Sequence, residues 1–234
     1  MSSSRAGALF RLYLITDRKL AAGRGGLVAV VEAALAGAAR VAAPGAVAVQ
    51  LREKDLNARE LFDLALALRP VCTRFGAPLL VNDRIDVALA AAVDGVHLPA
   101  DSLAIADART LMGSRLIGIS THRFEEVSAT AAAQADFAVF GPIYDPLSKP
   151  AYGPAAGLGA LAEAVRAAGS MPLYALGGID AVRCAEIARL EKSARPAGIA
   201  VIGAVLGAAD PSSATSVLLT AAVNALASAS GIAN

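Results

Sequence analysis

Four cationic residues, Arg52, Lys54, Arg84 and Lys149, and three glycines, Gly177, Gly178 and Gly203, dominate the chemistry open to this sequence. Lys and Arg neutralise phosphate oxygens. Glycines leave backbone N–H groups bare to an approaching anion. Together they point to two anion sites, one of cationic side chains and one of amides, and so to two phosphorylated groups bound at once. Asp83 and Asp101 are carboxylates of the kind that hold Mg²⁺ against phosphate oxygens. Ser120-Thr121-His122 sets a hydroxyl two residues from an imidazole, with no acid placed to orient the ring for serine chemistry. Each feature also has a structural reading. Asn82-Asp83 suits a helix cap, Gly177-Gly178 a strand-to-helix turn, Arg52-Glu53-Lys54 a solvated loop, and His97 a packed, hydrogen-bonded core position.

These residues gain meaning from the elements before them. Short, nearly continuous apolar runs recur at 12–16, 46–51, 78–82, 95–98, 115–120, 137–141, 171–176 and 198–202, as expected of parallel strands buried on both faces. Segments with a helical period follow each one, at 28–40, 58–75, 85–92, 105–112, 124–134, 158–168, 181–190 and 213–227. Eight strand–helix units predict a single (β/α)8 TIM barrel. An open doubly wound sheet is the alternative, but no Gly-rich dinucleotide turn follows the first strand. In a barrel, the active site gathers where strands end. The polar residues above, with Gln50 and His97, all stand at those ends. The longest stretch expected to lack regular structure, Gly141 to Gly157, is of a length that is usually functional or mobile. The segment Leu190 to Pro196, with the charge cluster Arg189, Glu191, Lys192 and Arg195, reads as a solvated loop at the opposite end.

Composition sets the limits. Hydrophobic residues make up 56% of the 234 and charged residues 18%, enough apolar material for one large core. Aromatics are only 4%, which predicts a core of small aliphatic side chains. A net charge of +1 argues against nucleic acid or anionic membrane as partners. Small phosphorylated molecules are expected instead, with a homo-oligomer left open. Cys72 and Cys184 read as buried free thiols. The N-terminus lacks a signal-like apolar stretch, so a cytoplasmic protein is expected, with residues 1–9 a disordered lead-in to a barrel domain over 10–230.

Taken in order, Gln50-Leu51-Arg52-Glu53-Lys54, Val81-Asn82-Asp83-Arg84-Ile85-Asp86-Val87-Ala88, Ser120-Thr121-His122 and Ala175-Leu176-Gly177-Gly178-Ile179 resemble the thiamine-phosphate synthase family and its relatives, the thiazole tautomerases. The resemblance runs from Leu12 to Asp210. It implies a transferase that joins a pyrimidine diphosphate to a thiazole phosphate and releases pyrophosphate. It implies that Arg52, Lys54, Asn82 and Lys149 grip the pyrophosphate, with Asp83 on Mg²⁺. Gln50 and Ser120 would lie by the pyrimidine, and Gly178 and Gly203 would cradle the thiazole phosphate. Two positions depart from the synthase pattern. Ser102 stands where a second metal aspartate is usual, with Asp101 one place earlier, and Pro146 stands where a threonine is usual. Leu98-Pro99 is closer to the tautomerase branch, where a residue in the position of His122 carries a proton. The resemblance therefore leaves three readings: synthase, tautomerase, and a binder of thiamine-pathway phosphates without turnover.

Overall fold

The computed structural model describes residues 10–145 and 154–226. Eight parallel strands close into one barrel in sequence order: β1 Leu12–Ile15, β2 Val47–Leu51, β3 Leu79–Asn82, β4 Gly95–Leu98, β5 Leu116–Thr121, β6 Phe137–Phe140, β7 Leu173–Leu176 and β8 Gly198–Val201. Closure is direct. Leu12 of β1 is paired with both Val47 of β2 and Ile199 of β8. Helices connect the strands: α1 Gly26–Ala38, α2 Ala58–Arg74, α3 Ile85–Ala90, α4 Ile105–Met112, α5 Phe124–Ala132, α6 Gly157–Ala168 and α7 Ala181–Ile187. The expected barrel is what forms, and strand positions match the apolar runs within a residue or two. Two short elements escaped the sequence reading. A four-residue helix, α8 Gly203–Leu206, precedes the last helix α9 Pro211–Leu226, and a 3-10 turn at Lys192–Ala194 interrupts the charged segment before β8. Residues 1–9, 146–153 and 227–234 lie outside the described residues. They include the predicted lead-in, the end of the predicted barrel domain, and the positions Pro146 and Lys149.

Local chemistry explains where helices begin. Asn57 accepts a hydrogen bond from the Glu60 amide, and Glu60 accepts one from the Asn57 amide, a reciprocal capping box that opens α2. Asp180 caps α7 by accepting from Arg183 N at 2.8 Å.

The barrel interior departs from the aliphatic core that composition predicts. Alternate strand residues point inward. At the N-terminal end these are rings: Phe10 stacks on Tyr174 at 4.3 Å between centroids and meets Phe137 edge-on at 5.2 Å, while Tyr13 meets Phe137 edge-on at 5.3 Å. Few as the aromatics are, four of them plug the barrel. The aliphatic side chains form the larger core outside it, between strands and helices. Gly118 makes the arrangement possible, because a Cβ there would lie 2.2 Å from Phe137 Cζ and 2.7 Å from His97 Nδ1. With its lower end closed by rings, the barrel presents its polar residues at the C-terminal mouth. Cys72 and Cys184 are buried free thiols, as expected.

Candidate active site

Arg52, Asn82, Ser120 and Gly178 end β2, β3, β5 and β7 or follow them directly. Parallel strands carry all four to one mouth.

The β2 side is built on a buried carboxylate. Glu53 is 6% exposed. It accepts from Thr16 Oγ1 at 2.6 Å, from the Arg18 amide at 3.0 and 3.1 Å, and from the Arg18 guanidinium at 3.3 Å. Thr16 Oγ1 in turn accepts from the Arg52 amide at 2.9 Å. The loops after β1 and β2 are thus tied together beneath Arg52 and Lys54. Lys54 is exposed and Arg52 half-buried. Outside the tie, Arg18 and Lys19 pair with Asp55 and hold its carboxyl below the usual range. The solvated-loop reading of Arg52-Glu53-Lys54 therefore fails at its middle residue. Glu53 is the strut, a role that sequence reasoning missed.

At the end of β3, Asn82 is half-buried and Asp83 turns outward with a φ of 63°. Its carboxylate accepts from Ser102 Oγ at 2.5 Å. The residue in place of the second aspartate thus reaches Asp83, while Asp101 is exposed. Arg84 is half-buried and bonds Asp86 at 2.8 and 2.5 Å. Among the described residues, no group of three His, Cys, Asp or Glu side chains is placed to hold a metal ion.

Two histidines separate cleanly. His97 points into the barrel, fully buried, with Nε2 2.9 Å from Ser120 Oγ. Burial, helped by the charge of Arg52, lowers its pKa to about 3, so it is neutral. His122 lies on the loop after β5. Its Nδ1 donates to the Gly141 carbonyl at 2.6 Å, and its amide donates to Glu126 at 2.7 Å. Ser120 therefore pairs with His97, not with His122. Gln50 is 1% exposed, one turn of the ladder above Tyr13 on the neighbouring strand.

The β7 side is made of backbone. Gly178 has a φ of 60°, and a Cβ there would sit 2.7 Å from Arg183 Nη1 and 3.0 Å from the Asp145 carbonyl. Only glycine fits both demands. Arg183 bonds the Gly178 carbonyl and lies over the Tyr144 ring at 4.7 Å. Gly203 differs. It opens α8, whose first amides lack intrahelical partners, and a Cβ there would meet nothing within 4 Å.

The fold and mouth define a (β/α)8 barrel with a cationic strand-end loop at β2 and glycine backbone at the ends of β7 and β8, where barrels of this class frequently hold phosphate groups. Residues 12–205 match the family described as thiamine monophosphate synthase, and the chain belongs to that family. A Geobacter sulfurreducens relative is 49% identical over 203 residues, spanning 86% of this chain and 89% of its own. The thiamine-phosphate synthase of Chloroflexus aurantiacus is 41% identical, spanning 88% of this chain and 89% of its own. Among solved structures, the thiamine phosphate pyrophosphorylase from Pyrococcus furiosus superposes with a TM-score of 0.79 at 32% identity, covering 94% of this chain and 98% of that one. These relatives place the chain on the synthase side of the resemblance.

Proposed function

We propose that the protein is a thiamine-phosphate synthase. It joins 4-amino-2-methyl-5-hydroxymethylpyrimidine diphosphate to thiazole phosphate and releases pyrophosphate and thiamine phosphate. The bond from the pyrimidine methylene carbon to the diphosphate oxygen breaks, and its electron pair leaves with pyrophosphate. The thiazole nitrogen lone pair forms the new C–N bond. No proton need move, so the task is to orient two substrates and neutralise the leaving group.

The observation that carries this reading is the division of the mouth: a strutted cationic loop on the β2 side, glycine backbone on the β7–β8 side, and uncharged polar groups between them. In this reading Arg52, Lys54 and Asn82 hold the diphosphate, joined by Lys149 as the family resemblance implies. Gln50 and Ser120 line the pyrimidine, and Gly178 and Gly203 receive the thiazole phosphate. Asp83 and Ser102 are a sparse donor set, but Mg²⁺ keeps several waters and commonly takes one or two carboxylates plus substrate phosphates, so the residues fit it. Asp83, with Ser102 beside it, would hold the ion, and Asp101 is not needed. When bound, Mg²⁺ supplies charge neutralisation on the departing pyrophosphate. No described helix is long and apolar enough to cross a membrane, and we place the reaction in the cytoplasm. Incubation with both substrates and Mg²⁺ should yield thiamine phosphate and pyrophosphate in equal amounts. Isomerisation of a thiazole carboxylate phosphate without metal, in place of that product, would support the tautomerase. Binding without any reaction would overturn both.

A further inference from the structure

The barrel interior holds a line of polar groups that no phosphate contact explains. Tyr13 Oη lies 3.3 Å from His97 Nδ1, and His97 Nε2 lies 2.9 Å from Ser120 Oγ. The Gln50 amide nitrogen is buried with no well-formed hydrogen bond among the described residues. Burial pushes the Tyr13 phenol's pKa well up. Tyr13 therefore keeps its proton. His97 is neutral, so one of its nitrogens carries hydrogen and the other accepts.

We infer that Tyr13 and His97 are positioning residues that fix the direction of the Ser120 hydroxyl, so that Ser120 offers a hydrogen to the pyrimidine rather than a lone pair. The logic is donor bookkeeping. Among the described residues the Tyr13 hydroxyl is bonded to His97 Nδ1 and to no other side chain, so the phenol hydrogen has that nitrogen as its acceptor. Nδ1 is then unprotonated, and hydrogen resides on Nε2, which donates to Ser120 Oγ. The Ser120 hydrogen is left for the mouth. In the opposite tautomer the Tyr13 oxygen accepts from Nδ1 while its own hydrogen loses its acceptor, the costly case of a buried unsatisfied donor. The ligand atom over Ser120 is accordingly a hydrogen-bond acceptor, as an unprotonated pyrimidine ring nitrogen is. This rests on the proposed function for the identity of the ligand, but the tautomer is a property of the protein alone.

The test has two independent arms. The chain has two histidines, so long-range ¹H–¹⁵N correlation spectra of the labelled protein can be assigned with a His122→Asn variant. The Nε2–H pattern at His97 is expected, and the Nδ1–H pattern or a protonated ring at neutral pH would overturn the inference. In the second arm, Tyr13→Phe keeps the ring packing and removes the hydroxyl. It should lower kcat/KM for pyrimidine diphosphate about tenfold, the worth of one net hydrogen bond, with KM for thiazole phosphate unchanged. An unchanged kcat/KM, or equal effects on both substrates, would overturn it. If wild-type protein shows no turnover, the proposed function fails while the spectra still decide the tautomer.

Discussion

Replacing Glu53 with Gln probes the strut beneath the diphosphate site. The carboxylate takes hydrogen bonds from Thr16 Oγ1, the Arg18 amide and the Arg18 guanidinium. Gln keeps the shape but turns one acceptor into a donor. If its oxygen stays on Thr16, where it also accepts from the Arg18 amide, its NH₂ replaces the oxygen that faces the Arg18 amide and guanidinium, donor against donor. The bonds that survive also lose their charge assistance, and charge-assisted bonds are about twice as strong as neutral ones. Arg18 is one-third exposed and also bonded to Asp55, so its ion pair with Glu53 is discounted. The remaining loss is about 2–3 kcal/mol, or roughly 5–10 °C in Tm for a domain of this size. Function should move in step. Thr16 holds the Arg52 amide, so KM for pyrimidine diphosphate should rise several-fold while KM for thiazole phosphate stays put. Thr16→Val, which removes the same acceptor from Arg52, should repeat the KM pattern. Calorimetric unfolding and steady-state kinetics are the assays. A stability change within about 0.5 kcal/mol, the range of an ordinary surface site, or an equal shift in both KM values would refute the strut.

Other substitutions divide the mouth further. Gly203→Ala meets no neighbour, so its Tm should match wild type while KM for thiazole phosphate rises; an unchanged KM would remove Gly203 from the phosphate site. Gly178→Ala forces a left-handed alanine against Arg183 and should cost about 1–2 kcal/mol, seen in denaturant unfolding. His97 has a folded pKa of about 3, below its unfolded value. The unfolded chain therefore binds more protons between those values, and stability should fall as pH drops below about 6.5, by up to about 1.4 kcal/mol per pH unit. His97→Gln should flatten that acid limb, and an unaltered limb would contradict the neutral, buried imidazole. Ser102→Asp should lower the Mg²⁺ concentration for half-maximal rate, and Asp83→Asn should raise it; titration of the rate with Mg²⁺ reads both.

Much of the molecule was legible in the sequence, because strands buried on both faces must be apolar throughout, and eight such runs are hard to read otherwise. The strand-end rule then brought Arg52, Asn82, Ser120 and Gly178 to one mouth. What sequence could not give was pairing. Glu53 looks like one charge in a charged loop, and only the approach of the β1 loop makes it a buried strut. Ser120 lies two residues from His122 in the chain, yet its partner is His97, because neighbouring barrel strands present same-facing residues to each other. Strand parity held a signal: Tyr13, Gln50, His97 and Ser120 all fall on inward-facing positions once closure is assumed. Arg84 was read as a mouth cation from its place after β3, and its ion pair with Asp86, two residues on, is a further pairing that chain order does not specify.

The central claim is that two anions are held at once on opposite sides of one mouth. Its most direct measurement is calorimetric titration of thiazole phosphate into protein already saturated with pyrophosphate and Mg²⁺. The account predicts that thiazole phosphate still binds at one equivalent, that Gly203→Ala weakens this step, and that Arg52→Ala weakens only the pyrophosphate step. Loss of thiazole phosphate binding as pyrophosphate fills its site would mean a single shared anion site and would contradict the account.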